Sequence, residues 1–429
     1  MDPSESRYWR FYWPLALMGV VALSGRLAQN YALMAYPEGS ARLAAYALAI
    51  ALVGPFRAAL VFVPQMSNVM VRGPRSMRSS FRHLLAVCGV LTLPVALLGW
   101  TPLGRLLVPM IYNVGSRQVG HMVSYLRWLT LLVAFFGMGR YFTGLLVQAR
   151  RTGLITVLRV LHLAVLVGTL MVGRRLGWSP VTTISLSIIV PEGLLAALSA
   201  LGTALLHEHR RPEEDRAIPL GEMARFFLPM AGTAILFAFT RPIIYAFLTA
   251  LPGSADRPVE AMVAAVALAS TFTMVFQGAV NQFRNLFATF GRQDPRGVSR
   301  FMVRVAGGLT VLMVIAVVTP AARLFFRYLQ NARAETLAMA TQAVLPLCLV
   351  PLIICWRNYN HGLAMVRRRT GLMFAGGIMR NVSVLVCAAL LAAAGGYNHV
   401  TAAAMLPVAF GAEALTGTIY RKLRHPEDA

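Results

Sequence analysis

Lysine is almost missing from this sequence: Lys422 is the only one among 40 basic residues, which leaves 39 arginines. That absence excludes the Gly-Lys-Ser/Thr phosphate loop, and with it an ATP-driven pump within this chain, and it excludes an internal Schiff-base lysine. Carboxylates are scarce too, 16 in 429 residues, and only Glu192 and Glu413 fall in the interior of apolar runs. An intramembrane hydrolase or transferase needs grouped carboxylates for metal or acid–base work. With no His-Glu-x-x-His, no Asp-x-x-Asp cluster and no nucleophile elbow, the chain reads as a non-enzyme without cofactor or metal. The four cysteines, Cys88, Cys348, Cys355 and Cys387, lie in apolar runs and read as small core residues. His207 and His209 read as part of a solvated loop.

What is abundant is apolar sequence. The chain is 57% hydrophobic and 13% charged with a mean hydropathy of +0.63, the composition of an integral membrane protein. Runs of about 20 residues, long enough to cross a bilayer as a helix, recur near 12–34, 43–66, 81–100, 124–147, 153–173, 181–206, 222–250, 260–283, 301–319, 337–363, 372–394 and 399–420. The first is too long, and with Arg26, Gln29 and Asn30 too polar, for a signal peptide. The expectation is an all-α polytopic protein of about twelve spans. Basic residues collect in "RGPRSMRSSFR" (72–82), "ARRTG" (149–153), "HEHRRPEEDR" (207–216), "GRQDPRGVSR" (291–300) and "RRRTG" (367–371), alternating with basic-poor connections. The positive-inside rule then puts both termini in the cytoplasm, with "GRRLGW" (173–178) and 323–333 as exceptions. Arginine over lysine, with much Ala and Gly, points to a GC-rich bacterial genome and hence a bacterial inner membrane.

The sequence says one phrase twice. Arg150-Arg151-Thr152-Gly153 matches Arg368-Arg369-Thr370-Gly371 at an offset of 218 (370 − 152), and Tyr141/Tyr359 and Gly144/Gly362 keep that offset. "TPLGRLLVPMIYN" (101–113) lies on "TPAARLFFRYLQN" (319–331), again at 218. With small insertions, Pro14 and Arg26 match Pro229 and Arg241 at 215, while Pro74-Arg75/Pro295-Arg296 and Glu192/Glu413 match at 221. The reading is a duplication: a six-helix half 1–206, a cytoplasmic linker 207–221 and a second half 222–429. An even number of spans per half makes the repeats parallel, which places a pathway between them and suggests alternating access. The Arg-Thr-Gly loops read as cytoplasmic anchors at lipid headgroups.

Intramembrane charge costs about 2.5–3.5 kcal/mol per residue on insertion scales, so it marks candidate function. Arg26 and Arg241 each stand twelve residues past a matched proline, deep in their spans; Arg26 shares a helix face with Gly19 and Asn30, and Pro242 after Arg241 should break or bend that helix. Gln277, Asn281 and Arg284 form one polar stripe on the eighth helix, Arg57 lies within the second, Arg140 within the fourth, and "WRNYNHG" (356–362) adds Arg357, Asn358, Asn360 and His361. Arg159 and Arg380 are near enough to the cytoplasmic loops to snorkel. Two carboxylates cannot neutralise so many guanidinium groups, and a surplus of bidentate cationic forks is what an anion-receiving cavity needs. The expected substrate-binding residues are Arg26, Asn30, Arg57, Arg140, Arg241, Gln277, Asn281, Arg284, Arg357 and Asn360, with Glu192 and Glu413 as coupling or structural carboxylates. Nucleic-acid binding is not expected, because the arginines are divided among short loops and helix interiors.

"RYWRFYWPLALMG", "LAAYALAIALVGPF", "TRPIIYAF" and "VRRRTGL" resemble the progressive ankylosis protein family, whose twelve-helix members are similar to the multidrug/oligosaccharidyl-lipid/polysaccharide exporter (MATE-like) fold. The resemblance implies export of small polyanions such as pyrophosphate, ATP or citrate, and a role for Arg241 in "TRPI"; the chain lacks the long acidic C-terminal tail of the animal members. The resulting expectation is an inner-membrane anion exporter, monomeric, with a small anionic substrate and membrane lipids as its partners. Alternatives are a flippase for an anionic or diphosphate-linked lipid or saccharide, and a non-transporting scaffold or receptor.

Overall fold

A computed structural model describes residues 3–149, 151–206, 215–250, 259–291, 293–366 and 371–424. Arg150, Arg368 to Thr370 of the second Arg-Thr-Gly copy, His207 and His209 lie outside the described residues.

Each apolar run of the sequence corresponds to a helix. These are α1 (Pro3–Met34), α2 (Gly39–Met70), α3 (Pro74–Trp100), α4 (Ser116–Gln148), α5 (Thr152–Arg175), α6 (Pro180–Leu206), α7 (Leu220–Thr249), α8 (Val259–Val280), α9 (Pro295–Val318), α10 (Ala334–Ala364), α11 (Gly371–Ala393) and α12 (His399–Arg424). Among the described residues, α2 to α12 are eleven helices long and apolar enough to cross a membrane, and α1 has the length, at 32 residues. The chain is a multi-pass membrane protein.

Proline shapes several of these helices, because it removes a backbone donor and crowds the preceding turn. α2 carries Pro55, tightens into a 3₁₀ turn at Leu60–Phe62 and resumes with Pro64 in its first turn. α10 is likewise interrupted by a 3₁₀ turn at Leu345–Leu349, between Ala334–Ala343 and Val350–Val366. Pro242 does not act this way: α7 continues without interruption from Leu220 to Thr249, so the expected break at Arg241 is absent. The polar stripe expected on α8 is also corrected. α8 ends at Val280, Asn281 lies in the following turn, and Arg284 belongs to a separate short helix, Phe283–Phe290.

Backbone geometry carries the duplication independently of side-chain identity. Asn113 and Asn331, 218 apart (331 − 113), both take the left-handed conformation, with φ of 39° and 51°. Gly177 and Gly395, 218 apart (395 − 177), do the same at 66° and 68°. Such values are rare outside Gly and Asn. The matched Gly144 and Gly362 also share a role. A Cβ on Gly144 of α4 would stand 2.7 Å from Pro64 Cα in the last segment of α2, and a Cβ on Gly362 of α10 would stand 2.7 Å from Phe287 Cβ in the short helix after α8.

Helix starts show the same correspondence. Asp294 caps α9 by accepting from Gly297 N at 2.8 Å, and it also accepts the Tyr8 hydroxyl of α1 at 2.7 Å. Its counterpart at offset 221 (294 − 73) is Gly73, which has no side chain to offer. There the linker supplies the cap: Asp215 accepts from Arg75 N, Ser76 N and Ser76 Oγ at the start of α3, each at 2.8 Å.

Two compact units emerge, one of residues up to Ala47 with Thr240 onward, the other Leu48–Phe239. The sequence repeat and the compact units are thus different divisions of the chain. In the first unit α1 packs on α8, and α12 packs on α8, α10 and α11. In the second, α4 lies against α2, α3 and α6, and α5 against α6.

A three-arginine, one-glutamate cluster in each unit

In the unit containing α8–α12, Glu413 on α12 is 2% exposed. His361 Nε2 of α10 stands 2.9 Å from Glu413 Oε1, while Arg380 Nη1 of α11 and Arg357 Nη1 of α10 stand 3.5 Å and 3.9 Å from Oε2. His361 is at hydrogen-bond distance from the carboxylate, whereas the two arginines stand farther off than in a strong charge-assisted pair. The two arginines are positioned by other groups. Arg357 Nη2 donates to Asn281 Oδ1 at 3.0 Å and to Asn358 Oδ1 at 3.1 Å, and Asn358 Nδ2 is anchored on Val280 O. Arg380 Nε donates to Thr240 Oγ1 at 2.9 Å, which donates on to Asn381 Oδ1. Both guanidinium groups lie over the Phe410 ring, at 5.0 Å and 4.5 Å, a favourable place for a desolvated cation. Arg284 is within electrostatic reach of Arg357 and Glu413, and Arg241 of Arg380.

The unit containing α3–α6 repeats this chemistry. Arg57 of α2 and Arg140 of α4 both lie over the Phe136 ring, at 5.3 Å and 4.7 Å. Arg140 is within electrostatic reach of Arg57, of Arg159 on α5 and of Glu192 on α6. His162 Nε2 of α5 stands 3.5 Å from Glu192 Oε1. In each six-helix repeat the second, fourth and fifth helices, or the short helix that follows the second, give one arginine each, and the sixth gives the glutamate. Arg159/Arg380 and Glu192/Glu413 keep the 221 offset, whereas Arg140/Arg357 and Arg57/Arg284 sit at 217 and 227. The helix is retained where the residue position is not.

Arg380 corrects an expectation. It is 5% exposed and turned to Glu413 and Thr240, so it does not snorkel. Its nine-residue separation from the Thr-Gly motif concealed this, and only its pairing with Glu413 across two helices shows it. Asn30 is buried and donates to Gln330 Oε1 at 2.8 Å and Thr271 Oγ1 at 3.1 Å, which ties α1 to α8 and to the turn after Phe325–Leu329. Asn360 donates to Ala414 O at 2.8 Å and Thr418 Oγ1 at 3.1 Å and ties α10 to α12. Arg26 Nη1 contacts Met274 Sδ at 3.0 Å, and with Arg241 it lies within electrostatic reach of Tyr245. Gln277 is half-buried in the last turn of α8.

The fold is that of solved MATE structures. The chain is similar to the eukaryotic MATE transporter AtDTX14, with a TM-score of 0.70 at 14% identity over 98% of this chain and 96% of that one. It is similar to the lipid II flippase MurJ in an inward closed conformation, with a TM-score of 0.68 at 13% identity over 95% and 87%. A third similar structure is a MOP superfamily transporter from Pyrococcus furiosus, described as having a binding pocket of reversed polarity that suggests a different function, with a TM-score of 0.60 at 11% identity over 96% and 94%. No protein-family model matches the chain, and no curated protein matches it by sequence.

Proposed function

We propose that this protein is a transporter of small organic or phosphate-containing anions, citrate-, pyrophosphate- or nucleotide-like, working by alternating access as an exporter in a bacterial inner membrane with both termini cytoplasmic. The observation that carries the reading is the three-to-one ratio of arginine to carboxylate in each cluster. Buried like charges repel, and a structural ion pair would be closed by matching carboxylates. Guanidinium forks held in place by neutral side chains and an aromatic face are instead prepared to receive carboxylate or phosphate. Arg26 and Arg241 add two further cations beside Tyr245, in the helices that carry the 215 offset. The MATE fold supports transport as the setting, and the resemblance of "TRPI" to the progressive ankylosis family supports the anionic substrate class.

A second reading, a flippase for a diphosphate-linked lipid, is favoured by the structural similarity to MurJ. The two separate in a thermal-shift screen of the purified protein. Stabilisation by citrate, pyrophosphate or nucleotides supports the exporter. Stabilisation by lipid diphosphates alone supports the flippase, and no response to either class contradicts the anion reading.

A further inference from the structure

The surroundings of Glu413 carry the anion reading one step further, and the step rests on that reading. Arg357 is held by Asn281, Asn358 and the Phe410 ring, and Arg380 by Thr240 and the same ring. Neither depends on Glu413 for its position. The carboxylate stands 3.5 Å and 3.9 Å from the two cations, well beyond the 2.7–2.9 Å of a strong charge-assisted pair. It occupies a prepared double-arginine seat without engaging it fully.

We infer that Glu413 is a tethered anion that holds the place of the substrate's own negative group, and that anion binding is linked to the uptake of one proton. The incoming anion takes over Arg357 and Arg380. The displaced carboxylate then faces an apolar interior without its cations, a state whose charge is costly to keep. His361, 2.9 Å from Oε1, stays beside it. The pair of Glu413 and His361 takes one proton from solution, so one anion and one proton are bound together and no covalent bond changes. Among the described residues, the charged groups that reach Glu413 are Arg357 and His361 from α10, Arg380 from α11, and Arg284 from the short helix after α8. Among the described residues Glu413 is the only carboxylate in this cluster, so no second acid competes for the proton.

Titration calorimetry on the purified full chain tests this, with oxalate and sulfate as probes because both stay fully ionised across the working pH range. Proton uptake is read from heats in two buffers of different ionisation enthalpy. Wild type should take up about one proton per anion, and its affinity should fall about tenfold for each unit of rising pH. Glu413→Gln should bind without proton uptake, with an affinity that is flat in pH and tighter than wild type at the alkaline end. Anion binding to wild type without proton uptake, or unchanged uptake in Glu413→Gln, overturns the inference while leaving anion binding intact. If Glu413→Gln does not fold, the wild-type proton count alone decides. No binding of oxalate, sulfate, citrate or pyrophosphate overturns the anion reading itself and this inference with it.

Discussion

At the residue scale, buried polar side chains in this protein divide into two kinds by how they are held. Asn30 spends both amide hydrogens on Thr271 and Gln330, and Gln330 in turn donates to Leu268 O at 3.2 Å. That is a closed network inside one unit. Asn30→Ala should therefore lower stability by about 1–3 kcal/mol, the range for orphaning buried partners, seen as a lower unfolding midpoint. An unchanged midpoint with lost anion binding would instead make Asn30 a ligand. The arginines of the two clusters are of the other kind, short of carboxylates, with Arg357 and Arg380 fixed by neutral groups. Asp294, outside the membrane spans, gives a pH signature of its own. The Tyr8 hydroxyl, followed by the Gly297 amide, holds its carboxyl below the ordinary range. A depressed folded value means the stabilisation is complete above the unfolded value of about 4 and is lost as pH falls through the folded one. Thermal unfolding followed from pH 7 downward should show an acid-side loss that Asp294→Asn reduces, and an identical pH profile in the variant would contradict the cap.

Among elements, the twice-stated Arg-Thr-Gly phrase turned out to mark helix contacts, because the residues in step with it are the ones that set how closely helices pack. Gly144 and Gly362 stand where α4 meets the last segment of α2 and where α10 meets the short helix after α8. Ser67 Oγ reinforces the first contact by donating to Tyr141 O at 2.9 Å. Gly144→Ala should destabilise more than Gly362→Ala, because the first added methyl meets Ser67 Oγ and Pro64 O at closer range than the second meets Phe287 Cβ. About 1–3 kcal/mol is the usual cost of overpacking, and equal stability in both variants would refute that contact geometry. The twelve helices were legible in the sequence because apolar length is a strong signal. The end of α8 at Val280 was not, since Gln277, Asn281 and Arg284 keep helical spacing across the turn. The uninterrupted α7 was missed for the opposite reason, as Pro242 alone does not reveal whether the turn before it survives.

For the whole molecule, the duplication is more faithful in architecture than in sequence. Glu192 and Glu413 were legible as the two intramembrane carboxylates, and most of their arginine partners as intramembrane cations. Their grouping was not, because Arg140/Arg357 and Arg57/Arg284 drift by several residues between repeats while staying on corresponding helices. Arg159 and Arg380 were hidden by their nearness to cytoplasmic loops. Asp215 capping α3 where Asp294 caps α9 is the same drift, with the linker supplying what one copy lacks. Such a molecule holds one arginine-rich cluster in each unit, and the proposed anion transport is the activity to test.

Efflux of labelled citrate and pyrophosphate from proteoliposomes measures that activity most directly, comparing wild type with Arg357→Gln, Arg140→Gln, Arg26→Ala and Arg241→Ala in samples shown to be folded. The arginine account predicts flux in wild type and its reduction, by about ten- to a hundredfold, in each variant, since each removes a charge-assisted contact to the anion of about 1.5–3 kcal/mol, at about 1.4 kcal/mol per tenfold. Wild-type rates in the four folded variants, or an absence of flux in wild type with both anions, would contradict it.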